Sequence, residues 1–185
     1  MNRLKKWIIT AAGTAGALLV LEAALVVWVD PFFQYHRPLA DFPYVVDNQL
    51  SQNPGMARNM TYDSVILGSS MTVNFNTHWF EDLMGLHTIK LNYSGAYPKD
   101  QANIMEQVFA SKNEVKAVFL GVDVMTYTGA VDETKYPIPE YLYDDSVWND
   151  AAYLWNKDVF LQYILRPVAD PDKTDLATVY QSWWT

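Results

Sequence analysis

The sequence contains no cysteine, so it can build neither a disulfide framework nor a thiolate metal site. Histidine is almost as scarce. The three residues, His36, His78 and His87, never stand in an Asp-x-x-His pattern. Positive charge is also short, with 13 Lys and Arg against 21 Asp and Glu, for a net charge of −8. Arg3, Lys5 and Lys6 sit at the extreme N-terminus, so the remainder is more acidic still. That balance argues against nucleic acid and anionic lipid surfaces as partners of the main body. There is no internal repeat and no low-complexity tract. At 185 residues the chain has room for one domain with a substantial core, which must hold without covalent staples.

What is abundant is apolar sequence, and it is unevenly spread. Residues 7–29 are nearly all apolar, with no Lys or Arg. As a helix this run is long enough to cross about 30 Å of hydrocarbon. The three basic residues before it place the N-terminus in the cytoplasm and everything after Asp30 outside. A cleaved signal peptide would have a shorter apolar region ending in a small-x-small site. Here the run ends in Val-Val-Trp-Val-Asp, with Trp28 suited to an interface, so the expectation is a single-pass, uncleaved anchor in the cell membrane. Glu22 is costly inside a bilayer. It either reaches the outer interface or touches a polytopic membrane partner.

Residues 30–61 hold four prolines, the turn-like Asn53-Pro54-Gly55 and five aromatics, Phe32, Phe33, Tyr35, Phe42 and Tyr44. They read as an irregular juxtamembrane segment packed on a folded domain that occupies residues 62–185. In that domain, apolar runs at 64–67, 88–92 and 115–122 read as strands. "NTHWFEDLMG" between the first two reads as a helix capped by Asn76 or Thr77 and stopped by Gly85, with Phe80, Leu83 and Met84 on one face. Between the second and third, a helix opens at Pro98 and places Ala102, Met105, Val108 and Phe109 at three- and four-residue spacing. Two strand–helix–strand units predict parallel crossovers, and strands this continuously apolar predict a sheet covered on both faces. Short helices are expected at 149–155, at 157–165 with Pro167 as the stop, and from Thr174 or Asp175 through Tyr180. Three parallel strands are few for an open α/β sheet. The aromatic ending Trp183-Trp184-Thr185 suggests a sheet incomplete at the C-terminus, with further strands beyond residue 185.

In such sheets sites form at the carboxyl ends of the strands. The three runs end in Gly68-Ser69-Ser70, in Asn92 to Gly95 and in Gly121-Val122-Asp123. "ILGSS" resembles the first block of the SGNH/GDSL hydrolases in the Gly-Ser-Ser variant. That variant is found in extracytoplasmic, membrane-anchored members, including those of lipoteichoic-acid D-alanylation. The resemblance covers roughly residues 62–125 and implies a flavodoxin-like sheet with Ser70 as nucleophile. Gly95, in "NYSGAY", resembles the second-block glycine whose backbone N–H helps form the oxyanion hole. Asp123 stands where the third block often has asparagine, and a carboxylate there is a poor oxyanion donor. The family's base, a histidine in a C-terminal Asp-x-x-His block, is missing. His78 is the only local candidate, and its position suits a cap or a surface role better. As written, this N-terminal piece is expected to be inactive.

The leading expectation is therefore an outward-facing esterase or acyltransferase acting on a cell-envelope polymer such as a polysaccharide or teichoic acid. It would need no cofactor or metal. The rival is a non-catalytic envelope scaffold or assembly factor with the same fold, and a sugar-binding module built on the aromatic loop stands third. Two further patterns have plainer uses. Asp144, Asp145 and Asp150 lack the glycine and glutamate of an EF-hand calcium loop. The sequons at Asn59 and Asn92 signify nothing if the source is bacterial.

Overall fold

The computed structural model describes residues 2–124, 126, 127 and 131–171. The helix expected from Thr174 and the terminal tryptophans lie outside these residues. In chain order the elements are α1 (Arg3–Val29), α2 (Gln49–Asn59), β1 (Ser64–Leu67), a 3-10 turn (Ser70–Asn74), α3 (His78–Met84), β2 (Thr88–Lys90), α4 (Pro98–Ala110), β3 (Ala117–Leu120), and four short helices, α5 (Glu140–Tyr143), α6 (Ala151–Leu154), α7 (Lys157–Phe160) and α8 (Arg166–Ala169), with a π turn (Leu161–Leu165) joining the last two.

Among the described residues the sheet has three parallel strands in the order β2–β1–β3. Val65 pairs with Ile89 and Val118, and Ile66 with Lys90 and Phe119. Alternation then sends Val65, Leu67, Ile89 and Leu91 to one face, where they pack with Ile104 and Val108 of α4 in the main core. Ile66 and Phe119 take the opposite face, where Phe80 of α3 lies 4.4 Å from the Phe119 ring. β1 and β2 are buried along their length, whereas β3 is only partly covered. The core face of α4 is Gln101, Ile104 and Val108; Ala102 and Phe109 point to solvent. On α3 Phe80 packs on the sheet, and Leu83 and Met84 are exposed. The caps match expectation. Asn76 Oδ1 accepts from His78 N, Gly85 closes α3 at φ 66°, and Pro98 opens α4.

Two proline signals mislead. Asn53-Pro54-Gly55 is not a turn but the middle of α2, inside the segment read as irregular. A proline there leaves the carbonyl of Leu50 without its helical donor, and the Tyr143 hydroxyl supplies the missing bond at 2.9 Å. Gly55 is needed because a Cβ there would lie 2.1 Å from the carbonyl oxygen of Phe32. Pro167 likewise does not stop its helix. The π turn widens the backbone ahead of it, and α8 runs through it.

The one helix among the described residues long and apolar enough to cross a membrane, α1, is shorter in its free part than the apolar run. α1 is exposed through Leu21, but Glu22 and Ala23 are half-buried and Val26 and Val29 are buried against the domain. Asp30 ends the helix at φ 48° and is itself fully buried. Its carboxylate accepts from the backbone N–H groups of Gln34, Tyr35 and His36 at 2.9, 2.6 and 3.0 Å, and from the Tyr153 hydroxyl at 3.0 Å. Burial holds its pKa above the usual carboxylate value, against those four bonds. The aromatics of residues 30–61 pack into the core around this hub, as their number implied.

Candidate active site

β1 leaves the sheet through Gly68, whose φ of 145° is closed to side-chain-bearing residues. The next residue, Ser69, is extended and caps the 3-10 turn. Thr72 folds back so that its hydroxyl donates to the Ser69 carbonyl at 2.9 Å. Its methyl group fills the space between two strand ends. A Cβ at Gly68 would approach that methyl to 2.6 Å, and one at Gly121 to 2.1 Å. Both glycines therefore let the ends of β1 and β3 close around one threonine.

The other strand ends converge on the same turn. Asn92, just past β2, donates from Nδ2 to the Ser69 carbonyl at 3.3 Å. Its own carbonyl accepts from Asn53 of α2 at 3.0 Å. Asp123, just past β3, accepts the Ser69 hydroxyl proton at Oδ2, with a separation of 2.5 Å. The second oxygen of Asp123 accepts from Thr126 N at 3.0 Å. The acid is thus held by Ser69 on one side and by its own loop on the other. Burial, together with the charge of Asp123, pushes the pKa of the neighbouring Tyr127 up.

Ser70 follows directly and differs in kind. It is exposed, and among the described residues its hydroxyl has no hydrogen-bond partner. Neither its N–H nor that of Gly95 meets a backbone acceptor among those residues. Gly95 sits at φ 76°, with the methylenes of Lys135 lying over it. The Lys135 ammonium is held over the Tyr97 ring at 5.3 Å and near Tyr136 at 5.9 Å. Beneath the turn, Lys90 is buried on β2 and donates to the Val73 carbonyl at 3.2 Å, and burial drives its pKa down to about 8.

The histidines are elsewhere. His87 lies at the amino end of β2, where its carbonyl accepts from Asp63 N. His36 contacts the carbonyls of Arg37 and Val27 beside the end of α1. His78, in the first turn of α3, is 3.7 Å from Glu81. None hydrogen-bonds either serine. Three features escaped sequence reasoning: the Ser69–Asp123 pair, the Asn92 tie and the buried Lys90. The one available signal was an acid at the third strand end, which needs a donor that the preceding serine pair could supply.

Asp144, Asp145 and Asp150 each have a polar partner. Asp144 accepts from Ser146 N and Asn149, Asp150 from the Tyr35 hydroxyl, and Asp145 lies 3.7 Å from Arg58. The Asn59 and Asn92 amides are both engaged with backbone carbonyls. Comparison of the chain with family models, with curated proteins and with solved structures found no match.

Proposed function

We propose that the chain is a membrane-anchored, outward-facing domain of SGNH type whose flavodoxin-like sheet presents Ser70 as the nucleophile of an esterase or acyltransferase acting on a cell-envelope polymer. The observation that carries this reading is the convergence of three strand ends on the turn before Ser70, through the Ser69–Asp123 and Asn92–Ser69 bonds. Ser70 Oγ would attack an ester carbonyl and pass its proton to a base. The backbone N–H groups of Ser70 and Gly95 would hold the oxyanion. The C–O bond to the leaving alcohol would then break as that alcohol takes the proton, and the acyl group on Ser70 would pass to a polymer hydroxyl. Asp123 serves here to fix the turn, not to donate to the oxyanion. The α1 anchor, crossing the membrane with its basic end inside, keeps the site close to the outer leaflet.

A second reading, a non-catalytic envelope scaffold, is favoured by one observation: no histidine among the described residues bonds either serine, and a serine without a base is a weak nucleophile. A fluorophosphonate probe applied to the full-length protein in its native membrane separates the two. The enzyme reading expects an adduct on Ser70 that disappears in Ser70→Ala. Equal labelling of both proteins refutes the role of Ser70, and no labelling of either favours the scaffold.

A further inference from the structure

The free part of α1 is shorter than its apolar run, and the rest of the molecule accounts for the difference. Residues 4–21 are exposed and, as a helix, measure about 27 Å, close to the hydrocarbon thickness of about 30 Å. Beyond them α1 packs against α6 and α7. The indole N–H of Trp155 donates to the carbonyl of Leu19 at 2.9 Å. Leu19 lies about 15 Å along the helix from Val29, so the domain reaches well down the anchor. Trp155, docked on α1, and Glu22, a residue of α1, therefore lie at the level where the lipid should end.

Trp155 ends α6, and beyond the Asn156 cap a second helical run continues from α7 through the π turn into α8. Its inner face, with Val159, Ile164 and Pro167, is buried. Its exposed side carries an apolar stripe: Leu161, Leu165 and Val168 are exposed at 49, 46 and 62%, at spacings of four and three residues, beside exposed Lys157, Asp158, Gln162 and Arg166. A stripe of this kind with a polar flank fits a helix lying at a lipid surface, its charged residues turned to water. α7, where this run begins, packs against α1, whose exposed part is the lipid-contacting surface in the proposed function.

We propose that residues 151–169 rest on the outer leaflet beside α1, with Trp155, Leu161, Leu165 and Val168 in contact with lipid. The membrane boundary then falls near Leu19 to Glu22, and the domain lies flush on the bilayer instead of standing off on a stalk. The domain is net acidic, so this contact is apolar and does not call for anionic lipid. The inference rests on the reading of α1 as a membrane anchor.

The absence of cysteine makes the test direct. Single cysteines replace Leu161, Leu165 and Val168 in turn, with Ala15→Cys as the anchor control and Leu83→Cys as the aqueous control. Each chain carries a nitroxide label and is reconstituted at high dilution in phosphatidylcholine vesicles. Collision rates with oxygen, which enters lipid, and with a nickel chelate, which does not, report the surroundings of each label. The expected result is a several-fold excess of oxygen over nickel collisions at 161, 165 and 168, matching position 15 and opposite to position 83. Lipid exposure at 15 with aqueous exposure at all three helix positions overturns this inference and leaves the anchor standing. Aqueous exposure at 15 as well brings down both. Protection from both colliders at the three positions means that protein covers them, and it overturns the lipid contact.

Discussion

Two adjacent serines should respond to alanine substitution in opposite ways. Ser69 is buried and donates to Asp123 at 2.5 Å. Removing that hydroxyl takes a charge-assisted bond from a partly buried carboxylate, which costs about 2 kcal/mol. For a chain of this size that is a fall in Tm of about 4–8 °C. Ser70 is exposed and its hydroxyl is unpartnered among the described residues, so Ser70→Ala should stay within about 0.5 kcal/mol of wild type. Tryptophan-monitored urea unfolding of the detergent-solubilised chain measures both. Asp123→Ala completes a double-mutant cycle with Ser69→Ala, and the coupling energy should be about 1.5–3 kcal/mol. Additive losses, or a Ser70→Ala protein as unstable as Ser69→Ala, would refute the reasoning that Ser69 holds the turn while Ser70 is left free to react.

Other substitutions probe the same frame. Gly121→Ala should destabilise by about 1–3 kcal/mol through overpacking, because its Cβ would meet the Thr72 methyl at 2.1 Å. Thr72→Ser in the same chain should restore part of the loss, and failure of that rescue in a urea melt would place the clash elsewhere. Lys90 holds its proton less tightly folded than unfolded, with pKa values of about 8 and 10.5. The unfolded chain therefore binds more protons between those values, and stability should rise with pH across that window by about 3 kcal/mol in total. In Lys90→Met this rise should be absent, and its persistence would assign it to another group. Asp30→Ala should cost at least about 3 kcal/mol, because it strands three backbone N–H groups and the Tyr153 hydroxyl. Asp30→Asn tolerates the left-handed backbone and keeps one acceptor oxygen, so its loss in the same melt should be smaller.

The parts of this fold that were legible are those set by local chemistry. Ser64–Leu67 is a strand because four residues that suit burial run up to a glycine. α4 begins where proline suits a first helical turn, and α3 ends where Gly85 takes a left-handed turn. Signals whose meaning depends on distant partners were misread or unseen. Pro54 breaks a helix unless a hydroxyl such as that of Tyr143, far along the chain, caps the orphaned carbonyl. Gly55 looks like a turn residue until the Phe32 backbone arrives against it. The apolar run of α1 could not reveal that Trp155 grips it at Leu19. At the rim, the strand ends were readable as chemistry-bearing, but the choice between the serines was not. Only the register of β1 against β3 brings Asp123 to Ser69 and leaves Ser70 facing outward.

The convergence of these strand ends can be measured without reference to activity. Ser69→Cys and Asp123→Cys, introduced together into the otherwise cysteine-free chain, should form an intramolecular disulfide on mild oxidation. The product would be a single cross-linked 69–123 peptide pair by mass spectrometry. Two free thiols after oxidation, or cross-links only between molecules, would contradict the account.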